Sequence, residues 1–237
     1  MRKTLTSLLL VTALFPLSAF AQQPIGVYVA PRLGYGTLKG TFTGVAPGYE
    51  DEKIGSQSKG AAILGLAVGY DFKRQFSLPI RAELEYAYLG RASKTYYTDR
   101  GEYGGLQALK MTLGGSTLFA NTYFDLHNDS AFTPYVSVGL GYSFVSAKGK
   151  FSFPEYSGVT VAQFKEKTST NFAWNLGIGA AWKLTDNIAL DMGYRYANLG
   201  KAKTGYLYDY YGASYNAWAK TNNVTSHQFL FGARFSF

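Results

Sequence analysis

The feature that most constrains this chain is an alternation of apolar and polar side chains with a period of two, clearest in its last eleven residues. In His227–Phe237, residues Phe229, Phe231, Ala233, Phe235 and Phe237 fall on one side of a strand. Gln228, Gly232, Arg234 and Ser236 fall on the other, with Leu230 the only apolar member there. An aromatic stripe at the end of a soluble chain needs a second layer to cover it. A strand that is oily outside and polar inside needs none if lipid covers it, and that is the pattern of a transmembrane β-barrel.

Seven earlier segments repeat the pattern. They run near Gly26–Gly36, Ala61–Phe72, Pro79–Gly90, Leu113–Leu126, Phe132–Ser146, Asn171–Trp182 and Ile188–Leu199. Their outward sets include Leu33 and Tyr35, Leu64 to Phe72, Leu84 to Tyr88, Val136 to Phe144, Phe172 to Trp182, and Leu190 to Tyr196 at every second position. In the fourth segment Leu118, Ala120, Thr122 and Phe124 are placed outward, although Phe119 and Tyr123 offer a competing face. The count of eight is even, as single-chain bacterial barrels require.

No stretch between Gln22 and Phe237 is long and apolar enough for a spanning helix; the longest, Ala61 to Val68, contains Gly65. A chain that spans lipid without helices must close its sheet, because lipid cannot satisfy open strand edges. At the N-terminus, Arg2 and Lys3 precede an apolar run from Leu5 to Phe20, and Ala19-Phe20-Ala21 is a small-x-small cleavage site. Residues 1–21 are therefore expected to be a cleaved secretory signal peptide, with 22–237 a single barrel domain. Aromatic residues make up 17% and charged residues only 16%, which suits strands with aromatic girdles. The absence of Cys excludes disulfides, thiolate nucleophiles and Cys-ligated metal sites.

The connections alternate in length. Lys73–Leu78, His127–Ala131 and Lys183–Asn187 are short, whereas the four others are each expected to be long loops of about twenty residues. Short turns are periplasmic in such barrels, so the long connections face outward. The formal charge is +8; removing Arg2 and Lys3 with the leader leaves 21 basic against 15 acidic residues, or +6. Strands and short turns carry seven of each sign, so the excess lies in the long connections, with 14 Lys and Arg against eight Asp and Glu. A basic crown points to anionic surfaces, such as lipopolysaccharide phosphates or acidic host glycans. Nucleic acid is set aside as a partner, because a high pI by itself is weak support and the crown faces outward.

Alternation also sends Arg32, Arg81, Glu83, Glu85, Asp191, Arg195 and Arg234 inward. An eight-strand lumen has room for little more than side chains, so these charges should form a network of ion pairs that fills it. Arg234 adjoins the strand that carries Asp191, which makes the two a candidate pair. The rival reading is a narrow gated pore for small solutes.

Catalytic chemistry finds little to work with. The two histidines are His127, in a short turn, and His227, beside Ser226. A neighbouring Ser–His pair is not a triad without geometry, and Asp191 and Asp209 are the candidate third members. No metal-ligand spacing and no phosphate-binding glycine loop is present, so no enzyme, metal or cofactor is expected. The last long connection, Thr204–Trp218, mixes Tyr with Gly, Ser and Asn, the composition of antibody paratopes. Tyr208, Tyr210, Tyr211 and Trp218 are candidate anchors for a host protein or glycan, with Tyr96, Tyr97 and Tyr103 as further members. The structural alternative is an extended hairpin whose Tyr residues serve only as strand formers.

Thr133-Pro-Tyr-Val-Ser-Val-Gly-Leu-Gly-Tyr142, Leu184–Tyr196 leading into Leu199-Gly-Lys201, Leu78–Tyr86 and the terminal strand together resemble the opacity-type, porin-family outer-membrane proteins. The final Phe resembles the signal by which the outer-membrane assembly machinery recognises barrels, with Phe229, Phe231, Phe235 and Phe237 as its carriers. The resemblance implies an all-β, eight-stranded, antiparallel up-and-down barrel of the outer-membrane-protein-A type. It implies a monomer in the bacterial outer membrane, in a group of which some members are adhesins or invasins and many carry a porin label, and from it a structural surface protein acting as an adhesin or antigen is expected. It does not extend to the loops, so no receptor is implied.

Overall fold

The computed structural model describes residues 26–48, 51–99, 106–153 and 159–237. The leader expected at residues 1–21 lies outside them. Eight long strands form the wall: β1 (Val27–Val45), β2 (Glu52–Asp71), β3 (Ile80–Asp99), β4 (Leu106–Asp125), β5 (Phe132–Phe153), β6 (Val159–Lys183), β7 (Ile188–Lys203) and β10 (Trp218–Ser236). Each pairs antiparallel with its sequence neighbour, and β10 closes the ring against β1 from Tyr28↔Ser236 to Val45↔Trp218. A one-turn helix, α1 (Lys73–Phe76), and a small hairpin of β8 (Leu207–Asp209) and β9 (Ser214–Tyr215) complete the elements.

One end is closed by tight turns with local causes. Ser77 takes the left-handed conformation after α1 (φ 56°), and its N–H caps the carbonyl of Lys73. Asn128 Oδ1 accepts the Ser130 N–H at 2.9 Å, and Thr185 Oγ1 accepts the Ile188 N–H at 3.0 Å. Both are side-chain mimics of a backbone turn.

The outward faces carry the expected apolar side chains. Leu33, Leu64, Leu84, Phe172, Ile178 and Phe229 are among the exposed ones. In β4 the outward set is Leu118 and Phe124, while Phe119 and Tyr123 are buried in the lumen. Aromatic rings ring both edges: Phe132 stacks on Trp182 at 5.6 Å near the turns, and Tyr194 packs on Phe229 at 5.4 Å towards the far edge.

The far end departs from expectation. Segments expected to be loops are mostly strand: β6 runs 25 residues and β5 runs 22, where about ten suffice to cross a bilayer. The wall therefore continues well past the apolar band. Its alternation is inverted in polarity, with polar residues outward to water and apolar residues inward. Leu38, Phe42, Ile63, Leu89, Met111, Leu113, Val145, Phe164, Leu199 and Val224 meet in one buried cluster inside this part of the barrel. Bulges at Leu89/Ala92 and at Gly200 shift the register and keep the apolar side inward.

Candidate functional site

Two regions carry the chemistry: the charged layer of the lumen near the turns, and the crown at the far end. In the lumen, Arg81 on β3 forms a fork with Asp125 on β4, Nε–Oδ2 2.7 Å and Nη2–Oδ1 2.8 Å. Arg32 on β1 reaches both Glu83 (2.7 Å) and Glu85, and Arg195 on β7 grips Glu85 through both Nη atoms, one of them at 2.8 Å. Arg234 Nε lies 3.3 Å from Asp191 Oδ2. The Tyr28 hydroxyl donates to Glu83 at 2.8 Å, and Arg81 stacks over the Tyr123 ring at 4.5 Å.

All seven charges assigned to the lumen from the sequence thus lie in one layer. Asp125 is the eighth and makes the count four Arg to four carboxylates. It sits at the last position of β4, where only its parity with Asn121 and Tyr123 marks it as inward-facing. Above it the Asn175 amide donates to Asn121 Oδ1 at 2.9 Å, and above that lies the apolar cluster. A cavity of about 20 Å³ beside Arg32, Tyr123, Asp191 and Arg195 has room for about one water.

At the crown, β8 pairs with β6 through Gln163↔Tyr208 and folds back on itself through β9. Asp209 holds that turn: its carboxylate accepts the Ala213 N–H at 2.9 Å and the Tyr215 hydroxyl at 3.0 Å, and Gly212 supplies the positive φ of 86°. Tyr210 and Tyr211 stand at the tip, 72% and 91% exposed, with edge-to-face rings. Below the hairpin, Lys165 Nζ lies 3.9 Å from the Tyr208 ring centroid, and Lys203 Nζ lies 3.8 Å from that of Trp218. Tyr206 packs edge-on against Trp218.

Lys203 is the direct cross-strand partner of Lys220, and like charges placed so are unfavourable. Lys220 is relieved by Asp51 at 2.7 Å. Lys203 is held below the usual lysine range, first by partial burial and then by Lys167 and Lys220. The result is a shelf of ammonium groups backed by aromatic faces.

The other Tyr residues assigned to this patch fare differently. Tyr97 is exposed on β3, but Tyr96 packs against the inner apolar cluster with its hydroxyl buried. It is therefore not a surface contact. Tyr103 lies outside the described residues.

Over residues 7–237 the sequence matches the family described as outer membrane protein beta-barrel domain. This chain belongs to that family. It is 31% identical to the outer membrane protein PagN of Salmonella typhimurium over 228 residues, 93% of each chain. It is also 32% identical to a provisionally named adhesin of Rickettsia bellii, over 50% of this chain and 51% of that one. Neisserial surface protein A overlays with a TM-score of 0.47 at 18% identity, covering 90% of this chain and 97% of the other.

As a member of the outer-membrane barrel family the protein resides in the bacterial outer membrane. The turn end is then periplasmic and the crown faces the medium. Phe229, Phe231, Phe235 and Phe237 are all exposed to the lipid side. The Ser–His pair does not assemble: Ser226 is buried in the lumen, while His227 points outward and bonds through Nδ1 to the Tyr194 hydroxyl at 2.6 Å. Asp191 lies within the lumen layer and Asp209 is occupied in the hairpin turn.

Proposed function

We propose that this barrel is a surface adhesin whose crown binds acidic glycans of a host surface. The observation that carries the reading is the lysine–aromatic shelf. Lys203 and Lys220 face each other across paired strands, and Lys203 and Lys165 each lie on an aromatic ring. A like-charge pair of this kind is relieved when an anion bridges it, and the ring faces suit the apolar side of sugar rings. The hairpin tip, Tyr210-Tyr211, adds rigid contact area beyond the shelf. The provisional adhesin name of the Rickettsia bellii relative agrees with this reading.

The small-solute porin is the weaker reading. Its conduit would have to pass both a neutral, ion-paired layer and an apolar plug.

The test is adhesion of bacterial cells that display the protein to cultured animal cells, with and without soluble sulfated polysaccharide. Adhesion that the polysaccharide abolishes, and that Lys165→Gln/Lys203→Gln/Lys220→Gln removes at equal surface expression, supports the proposal. Adhesion that the triple variant leaves intact overturns it.

A further inference from the structure

On the lipid-facing side of β3–β6, away from the crown shelf, the wall is indented. Tyr86 and Tyr88 on β3 form one bank and Phe144 on β5 the other. Gly114, Gly115 and Ser116 on β4 form the floor, where the lack of large side chains leaves an open groove of about 270 Å³. The floor cannot readily be built up at its glycines. A Cβ at Gly115 would lie 2.1 Å from the Phe144 carbonyl oxygen, and one at Gly114 would lie 3.1 Å from Arg91 Cγ.

The depth of the groove follows from register. From Ile80 to Tyr88 the outward positions of β3 are Ile80, Ala82, Leu84, Tyr86 and Tyr88, paired with Phe124 to Ser116 on β4. At about 3.3 Å per residue that run is about 26 Å along the strand and about 20 Å in height at the usual tilt, so it spans most of the roughly 25 Å apolar band of such barrels. The next outward groups are polar: Arg91, Ser146, Lys148, Glu166 and Thr168. The groove therefore straddles the line where the acyl chains of the outer leaflet end and its headgroups begin.

At its outer mouth Arg91 Nη2 lies 3.2 Å from Glu166 Oε1, and Lys148 Nζ lies 2.8 Å from Glu166 Oε2. One carboxylate thus positions two cations from two different strands. The cluster keeps one net positive charge, and among the described residues most of its guanidinium and ammonium donors remain free. The hydroxyls of Ser146 and Thr168, 2.8 Å apart, sit between the cations and the groove floor. Aromatic banks, a small-residue floor and a doubly cationic mouth at headgroup depth describe a site for an amphiphile with an anionic head.

We propose that this lateral groove binds a phosphorylated glycolipid of the outer leaflet, one acyl chain lying over Gly114–Ser116 and a phosphate meeting Arg91 and Lys148. The site is separate from the crown shelf, so it stands whether or not the shelf binds host glycans. Glu166 pre-arranges the cations and is partly displaced by the phosphate, whose extra charge makes the exchange favourable. The glycolipid is chosen over a glycerophospholipid because two cations side by side fit a phosphate monoester carrying up to two charges.

The experiment is native mass spectrometry of the purified barrel in phosphatidylcholine nanodiscs, titrated with bis-phosphorylated lipid A, its dephosphorylated form, or phosphatidylglycerol. Folding is checked for each variant by its heat-dependent shift on gels. The bis-phosphorylated form should be retained best. Arg91→Gln/Lys148→Gln should cut its retention by about tenfold, to the level of the dephosphorylated form. Ser116→Trp, which fills the floor with a side chain that lipid tolerates, should weaken both glycolipids together. The proposal is overturned if the folded double variant retains bis-phosphorylated lipid A as wild type does. It is equally overturned if phosphatidylglycerol binds as well as the glycolipid, or if Ser116→Trp changes nothing.

Discussion

Arg81 and Asp125 meet in a two-pronged ion pair across neighbouring strands, with both side chains almost wholly removed from solvent. It ties the periplasmic ends of β3 and β4 together and sets the Arg81 guanidinium against the edge-to-face pair of Tyr123 and Tyr135, 4.5 and 5.2 Å from their ring centroids. A buried pair adds little when compared with an apolar pair of the same shape, but removing one partner strands the other. Asp125→Asn is therefore expected to destabilise the barrel by about 3–5 kcal/mol, read from urea unfolding in lipid vesicles. Replacing both residues, as Arg81→Met/Asp125→Leu, should cost distinctly less than the single change. Equal losses would contradict the pairing.

The apolar plug is a separate layer from the ion pairs. Phe42 on β1 is fully buried in the inner apolar cluster, and its truncation to Ala should cost the barrel about 3–5 kcal/mol through the cavity left behind. Neither Phe42→Ala nor wild type should conduct in planar bilayers, because the charged layer below remains intact. Reproducible wild-type channels abolished by Glu83→Ala or Arg195→Ala would contradict a filled lumen.

Much of the wall could be read from the sequence, because lipid-facing positions are apolar at every second residue and little else competes with that signal. Leu33, Leu64, Leu84 and Phe229 illustrate it. Apart from the extended hairpin weighed for Thr204–Trp218, the strand extensions are not legible in the sequence, and for a physical reason. Beyond the bilayer the outer face turns polar while the inner face turns apolar, so Leu38, Phe42 and Met111 break the membrane pattern without breaking the strand. Tyr96 reads as a residue of the long connection after the third segment, but β3 continues through it, and the bulge between Leu89 and Ala92 turns it inward. Asp125 escaped because a single charge at a strand end cannot be told from a turn residue without its partner.

The hairpin tip offers a clean separation of contact from fold. Tyr210 and Tyr211 are strongly exposed and pack edge-to-face on each other, so Tyr210→Ser/Tyr211→Ser should leave the thermal unfolding midpoint unchanged. Adhesion of cells displaying the double variant should fall several-fold. Unchanged adhesion would remove the tip from the binding surface and leave the lysine shelf to act alone.

Lys203 provides a pH signature. Burial and the nearby Lys167 and Lys220 hold its pKa below the usual lysine value, so the unliganded fold binds fewer protons than the unfolded chain between those two values. The contribution of Lys203 to stability thus rises with pH across that window, and is lost as pH falls through the lowered pKa. An anion on the shelf reverses the preference by favouring the ammonium. Binding should take up a proton in the window and weaken as pH rises through it. Calorimetry in two buffers of different ionisation enthalpy measures this uptake, and Lys203→Gln should abolish it. Proton release on binding would contradict the assignment.

The most direct test of the crown as a glycan-binding surface is a titration of the purified barrel with a sulfated polysaccharide at several salt concentrations. The predicted result is saturable binding that weakens steadily with salt and is lost in Lys165→Gln/Lys203→Gln/Lys220→Gln, with the variant still folded. Binding of equal strength in wild type and the triple variant, or no binding by wild type at low salt, would contradict the account.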